Sequence, residues 1–350
     1  MPQGTNQPRS RRPRLDDVAR RAGVSIGTAS NALNHPDRVA PRTLERVSAA
    51  IAELGFTRNS LASALAAGST RTLGLVVIDL MNSLFVDIAR GAQEAARNNR
   101  FDLQLADSDN SAEQQLAHIR FLERARVAGF ILAPVFETND VIAAMRDRHE
   151  PLVLVNYRAD DVDCCTVVVD NEAVGYLATR HLIEQGRRRV ALVGGSSSAQ
   201  PVVLRRAGVL RAIAETNGAV RLQEVHTTDL NPPSGSQAGA ALAALPPDTR
   251  PDAVLAVTDL LAMAIISEFV AHGIRVPDDV AVMGCDHNSV AWGGAMPLTS
   301  VTMEGQPQGR AAVDLLLREI RDMRSSTPHT HETVVLQPSL VVRESTVGRA

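Results

Sequence analysis

Residues able to do covalent chemistry are sparse in this chain, and none falls into a catalytic spacing. Gly194-GSSS, behind an apolar run, looks like a phosphate-cradling loop, but no GK[ST] follows and no GxGxxG spacing occurs. HExxH and GxSxG are absent. The nine histidines are scattered, and His118, His149 and His272 read as surface residues on polar helical stretches. Of the three cysteines two are adjacent, Cys164 and Cys165, so neither a disulfide framework nor a CxxC knuckle can form. No catalytic residue, metal or cofactor is expected. What the sequence offers instead is recognition chemistry: the run Ser25-IGTASNALN, up to Asn34, is dense in hydroxyls and amides, groups that hydrogen-bond to base edges and phosphates.

Such a run must be held by a scaffold, and its surroundings supply one. Leu15 to Ala22 places Val18, Ala19 and Ala22 on one helical face, with Asp16 and Asp17 near the positive end of the helix. Gly23 breaks that helix, and Ser25 is placed to cap a second over Ile26 to Leu33. A third runs from Pro41 to Leu54, with Leu44, Val47, Ile51 and Leu54 as an apolar stripe. This pattern predicts a helix-turn-helix with its second helix as the groove reader. Ala40 stands where a hydroxyl would cap the third helix. Next comes Asn59-SLASALAAG, too short to be a stable helix alone, with Leu65 as a candidate apolar wedge.

Charge sorts the chain in the same way. The net charge of −3 conceals a head, residues 1–71, with 11 arginines against 5 acids, and a body with 25 arginines against 34 acids. A basic head on an acidic body points to a polyanion-binding segment joined to a partner domain. With 45% hydrophobic and 21% charged residues the composition is that of a globular protein. No apolar run suits a membrane span or a signal peptide, so a cytoplasmic protein without membrane contact is expected.

From Leu73 onward, short apolar runs alternate with helical periodicity. The runs at 73–78, 101–106, 129–133, 152–155, 166–169, 189–194, 252–257 and 280–284 read as strands. Amphipathic stretches lie between them: 85–98, 113–124, 175–184, 205–216 and 260–272. A further helix covers 309–320, and 332–347 reads as closing strands. So many units predict two Rossmann-like lobes of parallel α/β structure. Ligands in such sheets bind beyond the carboxyl ends of the strands, which makes the polar residues there the site candidates.

The order DDVARRAGVS…TASNALN…VAPRTLERVSAAIAELGF…NSLASALAAG…RTLGLVV resembles the amino-terminal signature of the LacI/GalR family of bacterial transcription regulators. The resemblance extends over essentially the whole chain. It implies an all-α helix-turn-helix domain and hinge helix, followed by a two-lobed, periplasmic-binding-protein-like effector domain. The implied boundaries are a basic arm at 1–13, a DNA-binding domain at 14–58, a hinge and linker at 59–70, and an effector and dimerisation domain at 71–350. Its first lobe would hold about 72–169 and 302–328, and its second about 170–301 and 329–350.

Carried over residue by residue, the resemblance places Ile26, Gly27 and Asn31 at base-reading positions. Ser25, Thr28, Ser30, Asn34 and Arg38 fall at phosphate or flanking contacts. Asn59, Ala62 and Leu65 would enter the minor groove, with Leu65 wedging into the central base step. Asn31 stands where the family usually has Arg, which exchanges a guanine preference for adenine.

In the body, the resemblance implies a ligand cleft lined by Asn82 and Phe85 (in Asn82-SLF), Asn156, Asp170, Arg205 (three residues before Gly208), Leu230, Thr258 and Asp286. The guanidinium fork of Arg205 suits vicinal hydroxyls or a carboxylate.

The function so implied is a non-enzymatic, ligand-responsive regulator binding double-stranded operator DNA. It would be a homodimeric repressor of carbohydrate-utilisation genes, released by a small sugar-like effector. The alternatives are a corepressor-dependent regulator sensing a nucleobase or nucleoside, a solute-binding transport protein, and an α/β enzyme with an appended DNA-binding domain. The basic head argues against the transport protein. The missing nucleophile and phosphate loop argue against the enzyme.

Overall fold

The computed structural model describes residues 13–34, 36–56, 70–135, 139–159, 163–194, 199–287 and 296–347. The hinge candidates Asn59, Ala62 and Leu65, and nearly all of the basic arm, lie outside these residues. The chain divides into two units, Met1–Thr70 and Arg71–Ala350.

In the first unit, α1 (Leu15–Ala22), α2 (Ile26–Asn34) and α3 (Pro41–Leu54) close around Val18, Ala22, Ala32, Val47 and Ala50. The Arg14 N–H donates to the Asp17 carboxylate at 2.8 Å, which satisfies one orphan donor at the start of α1. Gly23 ends that helix at φ 63°, a left-handed conformation that costs a residue without Cβ little. Arg46 of α3 then fixes the turn, donating from Nε to the Ala22 carbonyl at 3.1 Å and from Nη2 to the Gly23 carbonyl at 2.8 Å. Ala40 makes no side-chain cap on α3, and Pro41 fills the first helical position.

Among its described residues the second unit contains two six-stranded sheets. The first has the order β11-β5-β4-β3-β1-β2, built from β1 (Thr72–Val77), β2 (Asp102–Asp107), β3 (Phe130–Leu132), β4 (Leu152–Val155), β5 (Cys165–Val169) and β11 (Thr333–Leu336). Its helices are α4 (Ser83–Asn98), α5 (Ala112–Arg124), α6 (Asn139–Asp147) and α11 (Gly305–Arg324). The second sheet has the order β12-β10-β9-β8-β6-β7, from β6 (Arg189–Gly194), β7 (Arg221–His226), β8 (Ala253–Ala256), β9 (Ala281–Asp286), β10 (Thr299–Thr302) and β12 (Leu340–Val341). With it go α7 (Asn171–Glu184), α8 (Gln200–Ala214), α9 (Pro232–Ala243) and α10 (Asp259–Ala271). Every neighbouring pair is parallel except β10 with β12.

Strands covered by helices on both faces become continuous apolar runs, as in Leu152–Val155, where all four residues are buried. The chain passes between lobes after β5, after β10 and after β11.

One expectation needs correction here. Residues 329–350 do not belong wholly to the second lobe. Thr333–Leu336 pairs in parallel with Thr166–Val169, and the Asp170 N–H donates to the Leu336 carbonyl at 3.0 Å. A strand there covers the outer edge of β5, which would otherwise expose unpaired backbone. Elements additional to the sequence expectations are the 3-10 turn Pro36–Arg38, α6, β7, α9, β10 and a short helix at Glu344–Val347, where strands were expected to run to 347. No helix among the described residues is long and apolar enough to cross a membrane.

Candidate functional site

In the first unit the apolar face of α2 is spent on the core through Ala29 and Ala32, which are 0% and 7% exposed. The opposite face therefore carries the polar residues outward. Ser25, Gly27, Asn31 and Arg38 are exposed, while Thr28 and Ser30 are half-buried. Ser25 Oγ accepts the Thr28 N–H at 3.1 Å and lies 2.8 Å from Thr28 Oγ1, so it caps the helix it begins. Ile26 is 53% exposed at the tip of the helix. An apolar side chain displayed there suits contact with a thymine methyl group. The Asn34 side chain lies outside the described residues.

In the second unit the polar candidates converge from strand ends far apart in sequence. Asn82, following β1, caps α4 by accepting the Leu84 N–H at 3.0 Å. Its Nδ2 donates to Asp286 Oδ2 at 3.0 Å, joining the first lobe to the carboxyl end of β9 in the second.

Arg205 approaches Asp286 from α8. Two glycines make that approach possible: a Cβ on Gly175 would sit 1.9 Å from the Arg205 carbonyl oxygen, and one on Gly208 1.9 Å from the Glu172 carbonyl oxygen. The backbones of α7 and α8 therefore touch. From there the Arg205 Nε donates to Asn171 Oδ1 at 2.9 Å, Nη1 to the Val257 carbonyl, and Nη2 to Asp286 Oδ1 at 3.4 Å. Met303 Sδ lies 3.4 Å from the same Nη2.

The Arg205 and Asp286 side chains are 5% and 1% exposed. Burial raises the Asp286 carboxyl to about 6, although Arg205 and the Asn82 amide pull it down. Asp286 also sits at φ 109°, a region that costs a residue with a Cβ of order 1–3 kcal/mol and persists where its surroundings enforce it. One such support follows directly: the His287 N–H donates to Ser300 Oγ at 2.9 Å, and Ser300 Oγ donates to Asp259 Oδ1 at 2.7 Å.

The other candidates divide. Asn156, at φ 55° beyond β4, has a buried Oδ1 without a hydrogen-bond partner among the described residues. Asp170 is occupied as the cap of α7, accepting the Ala173 N–H at 2.9 Å. Thr258 likewise caps α10 through the Leu261 N–H at 3.4 Å. Phe85 is buried in the apolar core behind Asn82, and Leu230 packs half-buried against that core in the β7–α9 loop. Asn171 orients the guanidinium, a role the sequence reading did not assign. Its adjacency to the capping Asp170 was the available signal.

A second bridge joins the lobes. Gln200 Oε1 accepts the Arg158 N–H and Gln200 Nε2 donates to the Arg158 carbonyl, both at 2.8 Å.

Comparison with known proteins agrees with both halves of this geometry. Residues 14–59 match bacterial regulatory proteins of the lacI family, and residues 179–346 match the periplasmic binding protein-like domain. The HTH-type transcriptional repressor PurR of Vibrio campbellii is 31% identical over 333 residues, covering 95% of this chain and 98% of the relative. This chain belongs to the lacI family. As a LacI-family protein it is a ligand-responsive, DNA-binding transcriptional repressor, and not an enzyme.

Among solved structures, the regulator CelR in complex with cellobiose is 31% identical over 95% of this chain and all of that chain, with a TM-score of 0.70. The Lac repressor bound to ONPG in the repressed state is 25% identical over 96% of this chain and all of that one, with a TM-score of 0.83. The two-sheet architecture of this repressor is thus the LacI-family architecture.

Proposed function

We propose that this repressor senses a small polyhydroxylated molecule, a sugar or sugar derivative, through Asn82, Asn156, Arg205 and Asp286. The observation carrying this reading is the Asn82–Asp286–Arg205 chain, with its carboxylate and guanidinium buried, which presents amide, carboxylate and guanidinium groups within one hydrogen-bonded cluster spanning both lobes. Alternating donors and acceptors of this kind suit vicinal hydroxyls. The unpartnered Asn156 Oδ1 leaves a buried acceptor unpaired at a cost of about 1–3 kcal/mol, which a ligand donor recovers. The cellobiose complex of CelR, at 31% identity, supports a sugar, while the PurR relative at the same identity supports the nucleobase alternative.

On this reading the protein acts in the cytoplasm as a homodimer on a pseudo-palindromic operator. Ser25, Ile26, Gly27, Thr28, Ser30, Asn31, Asn34 and Arg38 enter or flank the major groove, and Asn59, Ala62 and Leu65 the minor groove. The effector exchanges its hydroxyls for the bonds among Asn82, Asp286 and Arg205 and so resets the angle between the lobes. That shift in population is read out as altered operator affinity.

A thermal-shift screen of the full chain against mono- and disaccharides, nucleobases and nucleosides tests the class. A ligand at 100 times its Kd adds about 2.7 kcal/mol of stability. Stabilisation by a saccharide supports the proposal; stabilisation by nucleobases alone replaces it with the nucleobase reading.

A further inference from the structure

At the end of the first sheet remote from the cleft, three side chains meet that the sequence reading left scattered. Cys165 opens β5, and His329 and His331 lie in the link between α11 and β11. Cys165 Sγ is 3.3 Å from His329 Nε2 and 3.7 Å from His331 Nδ1, and the three atoms all lie within 4.8 Å of one another. The two imidazoles stand edge to face, 75° apart, so their nitrogens converge on the sulfur from different directions.

From this arrangement we infer a zinc site whose ligands are Cys165, His329 and His331. A tetrahedral Zn²⁺ with sulfur at about 2.3 Å and nitrogen at about 2.05 Å separates these ligand atoms by roughly 3.6 Å. The two measured sulfur–nitrogen distances bracket that value.

The surroundings are those of a metal centre. His329 Nδ1 lies 2.7 Å from Asp322 Oδ2, so the Nδ1–H donates to the carboxylate and leaves the Nε2 lone pair turned toward the sulfur. Carboxylate–imidazole pairs of this kind orient and strengthen metal-bound histidines. The Asp322 carboxylate and the Cys165 thiolate would balance a dication, with the Arg146 charge offset by its partner Glu319. Binding releases the thiol proton to solvent. A thiolate with two imidazoles selects a borderline-soft ion and excludes magnesium and calcium.

Two features shape the site. Cys164 does not complete it, because its side chain packs in the separate apolar cluster with Phe130 and Met145. The three side chains leave a fourth position that water would fill. Arg146 Nη2 donates to His331 Nε2 at 2.8 Å, so in this arrangement Nδ1 carries the proton and zinc binding requires the other tautomer. When Nδ1 binds zinc, Nε2 carries the proton, so the guanidinium withdraws onto Glu319 and the Glu150 carbonyl, which it already contacts.

The test uses the full chain and the metal ions alone. After loading with Zn²⁺ and dialysis, the wild type is expected to retain one equivalent per chain, and the Co²⁺ form to show thiolate-to-cobalt charge-transfer absorption. Cys165→Ser and His331→Ala are each expected to weaken zinc binding at least tenfold, while Cys164→Ser leaves it unchanged. His331 is half-buried in a loop, so its variant reports even if Cys165→Ser misfolds. Absence of stoichiometric uptake, a Co²⁺ form without the charge-transfer band, or unaltered affinity in His331→Ala overturns the assignment.

Discussion

Asn82 and Asp286 lie 204 residues apart, yet the Nδ2 of one donates to the Oδ2 of the other at 3.0 Å and ties the two lobes together. Arg205 holds the second oxygen of the same carboxylate. One buried acid thus connects a loop of the first lobe to a helix of the second, so any molecule competing for it acts on both lobes at once. On the proposed reading, ligand recognition and lobe position meet in that single side chain.

Removing the guanidinium leaves the buried Asp286 carboxyl with only the Asn82 amide as partner and removes the charge that holds its titration down. Arg205→Ala is expected to lose about 3–5 kcal/mol in denaturant unfolding of the second unit. It should also abolish the effector response while operator binding persists. The pair Arg205→Met with Asp286→Leu removes both charges and should recover most of the stability without the response. A double variant that still responds to effector would remove Arg205 from the ligand site.

The titration of Asp286 has a definite sign. Its folded value, about 6, exceeds the ordinary 3.8, so between those values the folded chain binds more protons than the unfolded one. The contribution of Asp286 to stability is therefore greatest at low pH and is lost as pH rises through about 6. The difference in unfolding free energy between wild type and Asp286→Asn should shift toward the wild type by up to about 3 kcal/mol from pH 7 to pH 4. A pH-independent difference contradicts the buried carboxylate.

Gly208 tests positioning without touching the cluster. In Gly208→Ala the new methyl meets the Glu172 carbonyl, so α7 and α8 must separate. A loss of about 1–3 kcal/mol is expected, with weakened effector binding, because Arg205 is carried away from Asn171 and Asp286. Wild-type stability in urea unfolding would show that the helices part freely.

In the first unit, Asn31→Arg should move half-site preference from adenine toward guanine by about 1–3 kcal/mol in a randomised-operator selection. The exposed position of Asn31 on α2 makes the longer side chain sterically acceptable. An unaltered preference would show that residue 31 reads no base.

How much of this was legible in the sequence depended on burial. Leu152–Val155 and Arg189–Gly194 were plain because parallel central strands are uninterrupted apolar runs. Arg221–His226 was not, because an edge strand with one face in solvent mixes Arg, Gln and Glu with its apolar residues. Pro232–Ala243 has a loop-like composition, yet Gly235, Ala238 and Gly239 are the small residues that let α9 lie close on α10. Asn82, Arg205 and Asp286 could be singled out by strand-end position and motif. Their mutual bonding could not, since it depends on the meeting of two lobes. The same holds for Cys165 with His329 and His331, which only the pairing of β5 with β11 brings together.

The most direct test of the account is the affinity of a fluorescent operator duplex, measured by anisotropy with and without a saccharide identified by thermal shift, in wild type and in Asn82→Ala. The account predicts a ligand-dependent change of at least about fivefold in the wild type and a much smaller one in the variant, whose Asp286 still holds Arg205 but no longer reaches the first lobe. A saccharide that binds tightly yet leaves operator affinity unchanged, or an equal response in both proteins, would contradict it.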